Sequence, residues 1–175
     1  DAGAFIVRFV SRVSSLLLKQ LEGTNNVASS SGADNEVFAL GSNGNRQLGT
    51  AAPSGEIRSV YTTAFEKSIK VAHAGSGCTH LLCEDGKIYA LGKGDYGRLG
   101  INDNNETPTP TALAGDINNV TIVKMANSKG NYGHGLAIDD KGALWSWGDG
   151  DFGKLGHGDT SQRPSPVKIP FFNGK

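Results

Sequence analysis

Two segments of this chain spell a cofactor fingerprint. Gly92, Gly94 and Gly97 form a GxGxxG pattern, and Gly148, Gly150 and Gly153 form a second one, each just after a short β-prone run. In a dinucleotide site a helix must open directly after such a loop, because its N-terminus receives the pyrophosphate. Here RLGINDNNETPTP and KLGHGDTSQRPSP follow, with glycine and proline where a helix would have to propagate. The pattern therefore reads as a repeated turn, and no cofactor is expected. His73, His80, His134 and His157 lack metal-ligand spacing with Cys78 or Cys83, and neither CxxC nor HExxH occurs, so no metal site is expected. Cys83 reads as core and His134 as a structural histidine bonded to a neighbouring loop. No nucleophile is coupled to a base by spacing, so no catalytic residue is assigned. What remains are Asp95 with Tyr96 and Asp151 with Phe152, the same two positions in two turns. An exposed acidic and aromatic pair suits protein recognition. The alternative is an aspartate that bonds its own turn and an aromatic that packs on the neighbouring unit.

The turns belong to a repeat, which decides the architecture. GSNGNRQLG at 41–49, GKGDYGRLG at 92–100 and GDGDFGKLG at 148–156 align without gaps. Gly41, Leu48 and Gly49 correspond to Gly92, Leu99 and Gly100, and to Gly148, Leu155 and Gly156; Gly97 and Gly153 also correspond. Before each stands a β-prone run, VFAL, IYAL or LWSW, the last ending at Trp147. Six residues before each leading glycine lies Asn35, Gly86 or Gly142, a residue type that tolerates the left-handed backbone of a hairpin turn. Pro108 and Pro110 match Pro164 and Pro166 at fixed offsets downstream. The unit is a small antiparallel sheet of about 50 residues, too small to bury both faces alone, so copies must stack. Small sheets arranged radially make a β-propeller. The fold class is all-β, a partial β-propeller of about three four-stranded blades over residues 35–175.

Upstream, Ile6, Phe9, Val10, Val13, Leu16, Leu17 and Leu21 fall at spacings of three and four, predicting an amphipathic α-helix over residues 1–23. Arg8 and Arg12 interrupt it, so it is no membrane span of about 20 apolar residues. Residues 24–34 are small and polar and read as a linker. Glycine is 25 of 175 residues, about twice the usual share. The net charge of +0 argues against nucleic acid or an anionic membrane held by charge. Two cysteines fit a reducing compartment. The chain opens on Asp1 and reads as a piece of something longer.

Strand, GxGxxGxLG, then a proline-marked strand, at intervals of just over fifty residues, resembles the repeats of the regulator-of-chromosome-condensation family. The likeness covers roughly residues 35–170, and LWSWGDGDFGKLGHGD at 144–159 is especially similar to propellers of the large HERC-type ubiquitin ligases. Leu40 and Leu91 depart from the pattern where Trp147 keeps it, as does Arg46 where Gly97 and Gly153 keep glycine. The resemblance implies a seven-bladed ring when complete, hence missing blades, and a distant HECT domain that carries ubiquitin transfer elsewhere in the parent. It implies protein partners, substrates or regulators, with guanine-nucleotide exchange on a small GTPase as the alternative. A cytosolic location follows, with the nucleus as the alternative. An unfinished ring leaves faces uncovered. The helix is expected to cover one, while Trp145, Trp147 and PVKIPFF stay exposed and make the isolated chain oligomeric or aggregation-prone.

Overall fold

In the computed structural model of the chain, residues 5–8, 14–20, 35–41, 43–49, 58–59, 65, 67, 69–75, 77–128 and 132–170 are described. Twelve strands among them form three four-stranded antiparallel sheets. The first holds β1 (Phe5–Arg8), β2 (Ser14–Gln20), β3 (Asn35–Gly41) and β4 (Arg58–Ser59). The second holds β5 (Ile69–Ala74), β6 (Cys78–Cys83), β7 (Ile88–Gly92) and β8 (Thr107–Ala112). The third holds β9 (Ile122–Asn127), β10 (His134–Asp139), β11 (Leu144–Gly148) and β12 (Arg163–Lys168). Each is a meander in chain order, as expected for a propeller blade.

The helix expected over residues 1–23 is not what the described part of that stretch forms. Phe5–Arg8 and Ser14–Gln20 are strands, paired from Phe5 with Lys19 to Arg8 with Leu16. The reason lies in the third strand. β3 would otherwise present a row of unpaired amides and carbonyls, and β2 satisfies it with an uninterrupted register from Ser14 with Gly41 to Gln20 with Asn35. In a stretch so dense in apolar residues, spacings of three and four arise alongside a strand's own pattern. The first copy thus draws its two leading strands from the residues read as a helix. Residues 24–34, read as a linker, lie outside the described residues, in the chain between the paired β2 and β3.

Hairpin turns at one end of the sheets need glycine. Gly86 and Gly142 have φ of 74° and 79°, and a Cβ on Gly86 would stand 2.5 Å from the Thr121 side chain of the next copy. Carboxylates brace the same turns. Asp85 accepts from the Lys87 amide at 3.0 Å. Asp139, buried, accepts from the amides of Lys141 (3.0 Å) and Ala143 (2.8 Å) and from the Trp145 indole (3.0 Å).

The core lies between sheets. Leu82, Ile88, Ala90, Leu99 and Leu113 of the second copy meet Ile122, Ala137, Trp145 and Trp147 of the third. Leu48 of the first copy meets Ile69, Leu81, Cys83 and Leu91 of the second. Trp147 is 0% exposed and Trp145 5%, which corrects the expectation that both stay uncovered. Alternation does put them on one face, but that face is the one turned to the second sheet. The opposite face of the third sheet carries the exposed apolar residues Ile138 and Val167. Ile169 of PVKIPFF is buried, and residues 171–172 lie outside the described part.

Candidate functional site

The three glycine-rich loops leave the ends of β3, β7 and β11 at one rim. The second and third each make a single 3-10 turn, Asp95–Gly97 and Asp151–Gly153, and not the long helix a pyrophosphate would need. The space beside their glycines is filled by the loops themselves. A Cβ on Gly94 would fall 2.1 Å from the Asn105 carbonyl oxygen, and one on Gly150 2.1 Å from that of Ser161. Among the described residues no group of three metal-ligating side chains comes together.

These turns are held from several sides. The Lys93 amide donates to the Gly77 carbonyl at 2.8 Å, and the Asp149 amide to that of Gly133 at 3.1 Å. Gly97, φ 70°, lies against β12 of the next copy: a Cβ there would be 2.4 Å from the Cα of Pro164. Its counterpart Gly153, φ 69°, has only the Asp159 carbonyl oxygen, at 3.8 Å. In the first copy Arg46 occupies the position with φ 52° and spans to the next copy by a 3.1 Å ion pair with Glu106. Leu48, Leu99 and Leu155 are all buried beneath the loops. Gly49, Gly92, Gly100, Gly148 and Gly156 all take positive φ, and Gly41 ends β3.

The residues left at the rim are aromatic and charged. Tyr96 and Phe152 both hold φ of 61°, a left-handed backbone uncommon for such side chains. Tyr96 is 42% exposed and meets Tyr132 of the next copy edge to face, with ring centroids 5.2 Å apart. Tyr132 is 51% exposed and Phe152 99%. Asp95 pairs with Lys93 at 2.8 Å, and that hydrogen bond holds its carboxyl below the usual range. In the third copy Asp149 replaces Lys93. Asp149 is buried and pairs with Lys154, whose ammonium sits 5.9 Å from the Tyr132 ring. Burial holds the Lys154 pKa below its ordinary value. Asp95, Tyr96, Asp151 and Phe152, singled out by sequence spacing, lie at this rim, and the fold adds Tyr132 and Lys154 beside them. Tyr132 precedes β10 outside the repeated nonapeptide, and Lys154 stands at the repeat position of Arg98.

Beneath the rim a polar network locks the second sheet to the third. The Trp147 indole donates to His80 Nε2 at 3.3 Å and to the Arg98 carbonyl at 3.2 Å. The Asn127 amide lies 2.5 Å from His80 Nδ1. Burial lowers the His80 pKa to about 3, so the ring is neutral. Arg98 is buried, and its Nε donates to the Asp95 carbonyl at 2.9 Å, fixing the Tyr96 turn from below. His134 Nδ1 is buried without a hydrogen-bond partner, while its backbone amide donates to Ser128 Oγ at 3.0 Å; the histidine ring that bonds across copies is that of His80.

One constellation resembles a hydrolase triad. Ser146 Oγ lies 3.0 Å from His157 Nε2, and burial, with the Arg163 charge, lowers the His157 pKa against the opposing charge of Asp159. Yet Ser146 is wholly buried, and its hydroxyl donates to the Leu155 carbonyl at 2.7 Å. Buried and bonded to that carbonyl, Ser146 is not placed to act as a nucleophile. Cys78 and Cys83 are free and buried, with pKa values pushed up by burial to about 11 and about 12. Neither is a thiolate at neutral pH.

The regulator of chromosome condensation (RCC1) repeat matches residues 85–130 and 141–175. Human E3 ubiquitin-protein ligase HERC2 is 31% identical over 142 residues, 78% of this chain and 3% of its own length. The Arabidopsis thaliana ultraviolet-B receptor UVR8 is 32% identical over 140 residues, 78% of this chain and 30% of its own length. A mouse RCC1-like G exchanging factor-like protein is 29% identical over 142 residues, 77% of this chain and 30% of its own. Among solved structures, human WBSCR16 superposes with a TM-score of 0.70 at 25% identity, over 90% of this chain and 37% of that one. Prp20p of Saccharomyces cerevisiae, a protein with binding properties toward Gsp1p and histones, gives 0.65 at 20% identity, over 93% of this chain and 38% of that one. The chain spans less than two fifths of each of these proteins.

Proposed function

Because the chain carries regulator-of-chromosome-condensation repeats, we propose that it is a non-catalytic protein-interaction segment of a propeller, recruiting substrates or regulators to a large E3 ubiquitin ligase of the HERC kind in the cytosol. The observation that carries this reading is the rim. Tyr96, Tyr132 and Phe152 stand exposed there, the Tyr96 turn backed by its own loop and by the next copy and the Phe152 turn by its own loop. Exposed aromatics on a rigid frame suit a protein hot spot, since they bury large area with little loss of side-chain freedom. The likeness to HERC2 supports the ligase setting. Neither thiol has the chemistry to carry ubiquitin, so any transfer belongs to another part of the parent protein.

A photo-crosslinking residue placed at Phe152, compared in cells with one at Lys141 on the hairpin rim, tests this. Discrete adducts are expected from position 152 that the control lacks. Equal labelling from both rims, or none from 152, overturns the proposal. A second reading, guanine-nucleotide exchange on a small GTPase, draws support from the mouse relative's name and from the Gsp1p binding of Prp20p. Accelerated release of labelled GDP from a small GTPase by this chain favours that reading over the first.

A further inference from the structure

The charge at the third copy's loop narrows the kind of partner, given the rim reading above. In the second copy the loop balances itself: Lys93 neutralises Asp95, two residues on. In the third copy the position of Lys93 is Asp149, so the loop carries Asp149 and Asp151 together. Lys154 satisfies Asp149, while Arg46 is engaged with Glu106 and Arg163 with Asp159. Among the described residues no ion pair is made by Asp151, whose neighbour Phe152 is 99% exposed.

The molecule shows beside this place what such groups bind. Lys154 is held between a carboxylate, Asp149, and an aromatic ring, Tyr132. The same two kinds of group, Asp151 and Phe152, stand open on the same turn. A further copy packed alongside would cover only part of the ring: Tyr96, at the position of Phe152, keeps 42% exposure with Tyr132 of the next copy against it. The geometry points to Asp151 and Phe152 as a docking point for a cationic side chain, arginine foremost, on a loop or tail of a partner protein. The carboxylate would pair with the guanidinium while the ring takes its face.

The test is an NMR titration of the isotope-labelled chain with two capped tripeptides, Ac-Gly-Arg-Gly-NH2 and its uncharged citrulline analogue. Saturable shifts confined to amides 149–154, with the arginine peptide binding at least twofold tighter, are expected. Asp151→Asn and Phe152→Ala should each weaken the arginine peptide roughly two- to fivefold while leaving the melting temperature unchanged, as both side chains are exposed. Equal binding of the two peptides, no saturable shift, or wild-type affinity in Asp151→Asn overturns the proposal. Loss of the cationic preference with crosslinking at position 152 intact would leave the rim a docking surface of another chemistry. Loss of both removes the rim reading itself.

Discussion

Acid should loosen the joint between the second and third sheets through His80. The ring is buried between the Trp147 indole and the Asn127 amide, and burial lowers its pKa from 6.5 to about 3. Above pH 6.5 the ring is neutral in both folded and unfolded chains, and nothing is lost. As pH falls below 6.5 the unfolded chain takes up a proton that the folded one refuses, so stability declines until the folded pKa near 3 is reached. At pH 5 the gap of one and a half units above that pH corresponds to about 2 kcal/mol. Urea denaturation at pH 7.5 and pH 5.0 reads this directly. His80→Leu is the reference, because Leu136 holds the same register position in the third sheet. It lowers stability at pH 7.5 by removing the bond to Trp147, yet it should abolish the His80 share of the acid loss. The wild type is expected to lose about 2 kcal/mol more than the variant between the two pH values. An equal loss in both, or a His80 ring titrating above pH 6 in the folded chain, would show that this histidine is not the acid-sensitive group.

Gly97→Ala should cost about 2–4 kcal/mol, since the new methyl meets the Pro164 backbone and the residue must hold a left-handed φ. Gly153→Ala, with open space around it, should cost about 1 kcal/mol for the φ alone; equal urea midpoints for the pair would show that the loop-to-next-copy contact is not formed. Asp139→Ala removes three hydrogen bonds from a buried turn and should cost about 3 kcal/mol at pH 7. Burial opposes its ionisation, but the bonds from Trp145, Ala143 and Lys141 outweigh it and hold the carboxyl low. That contribution is present above the usual carboxylate pKa and is lost as pH falls through the lowered folded value, which proton-linked melting curves measure. Cys78 and Cys83 should resist iodoacetamide in the folded chain at pH 7.5 and react only on unfolding, as mass spectrometry reads; fast labelling of either would contradict their burial.

The repeat makes the second and third sheets legible in the sequence, because turn glycines, strand runs and prolines recur together at fixed offsets. Leu48, Leu99 and Leu155 share one environment for that reason. The first sheet is harder to read. Its two leading strands lie before the first repeated nonapeptide, and only the need of β3 for an edge partner reveals them. Local periodicity cannot see that need, so a helix is the natural reading of residues 1–23. Alternation correctly joins Trp145 to Trp147 on one face but cannot say which face a neighbour covers. His80 and Arg98 carry no warning of burial, since polar residues are buried only where a partner from another copy meets them. The rim is half legible: Asp95, Tyr96, Asp151 and Phe152 recur in register, while Tyr132 reaches them only through the fold.

Docking of proteins on the aromatic rim is open to a direct check by proximity labelling in cells. The chain is compared with a Tyr96→Ala, Tyr132→Ala, Phe152→Ala variant of matched melting temperature. The wild type is expected to label a set of neighbouring proteins that the variant loses. An unchanged set, with the variant still folded, would contradict docking at the rim.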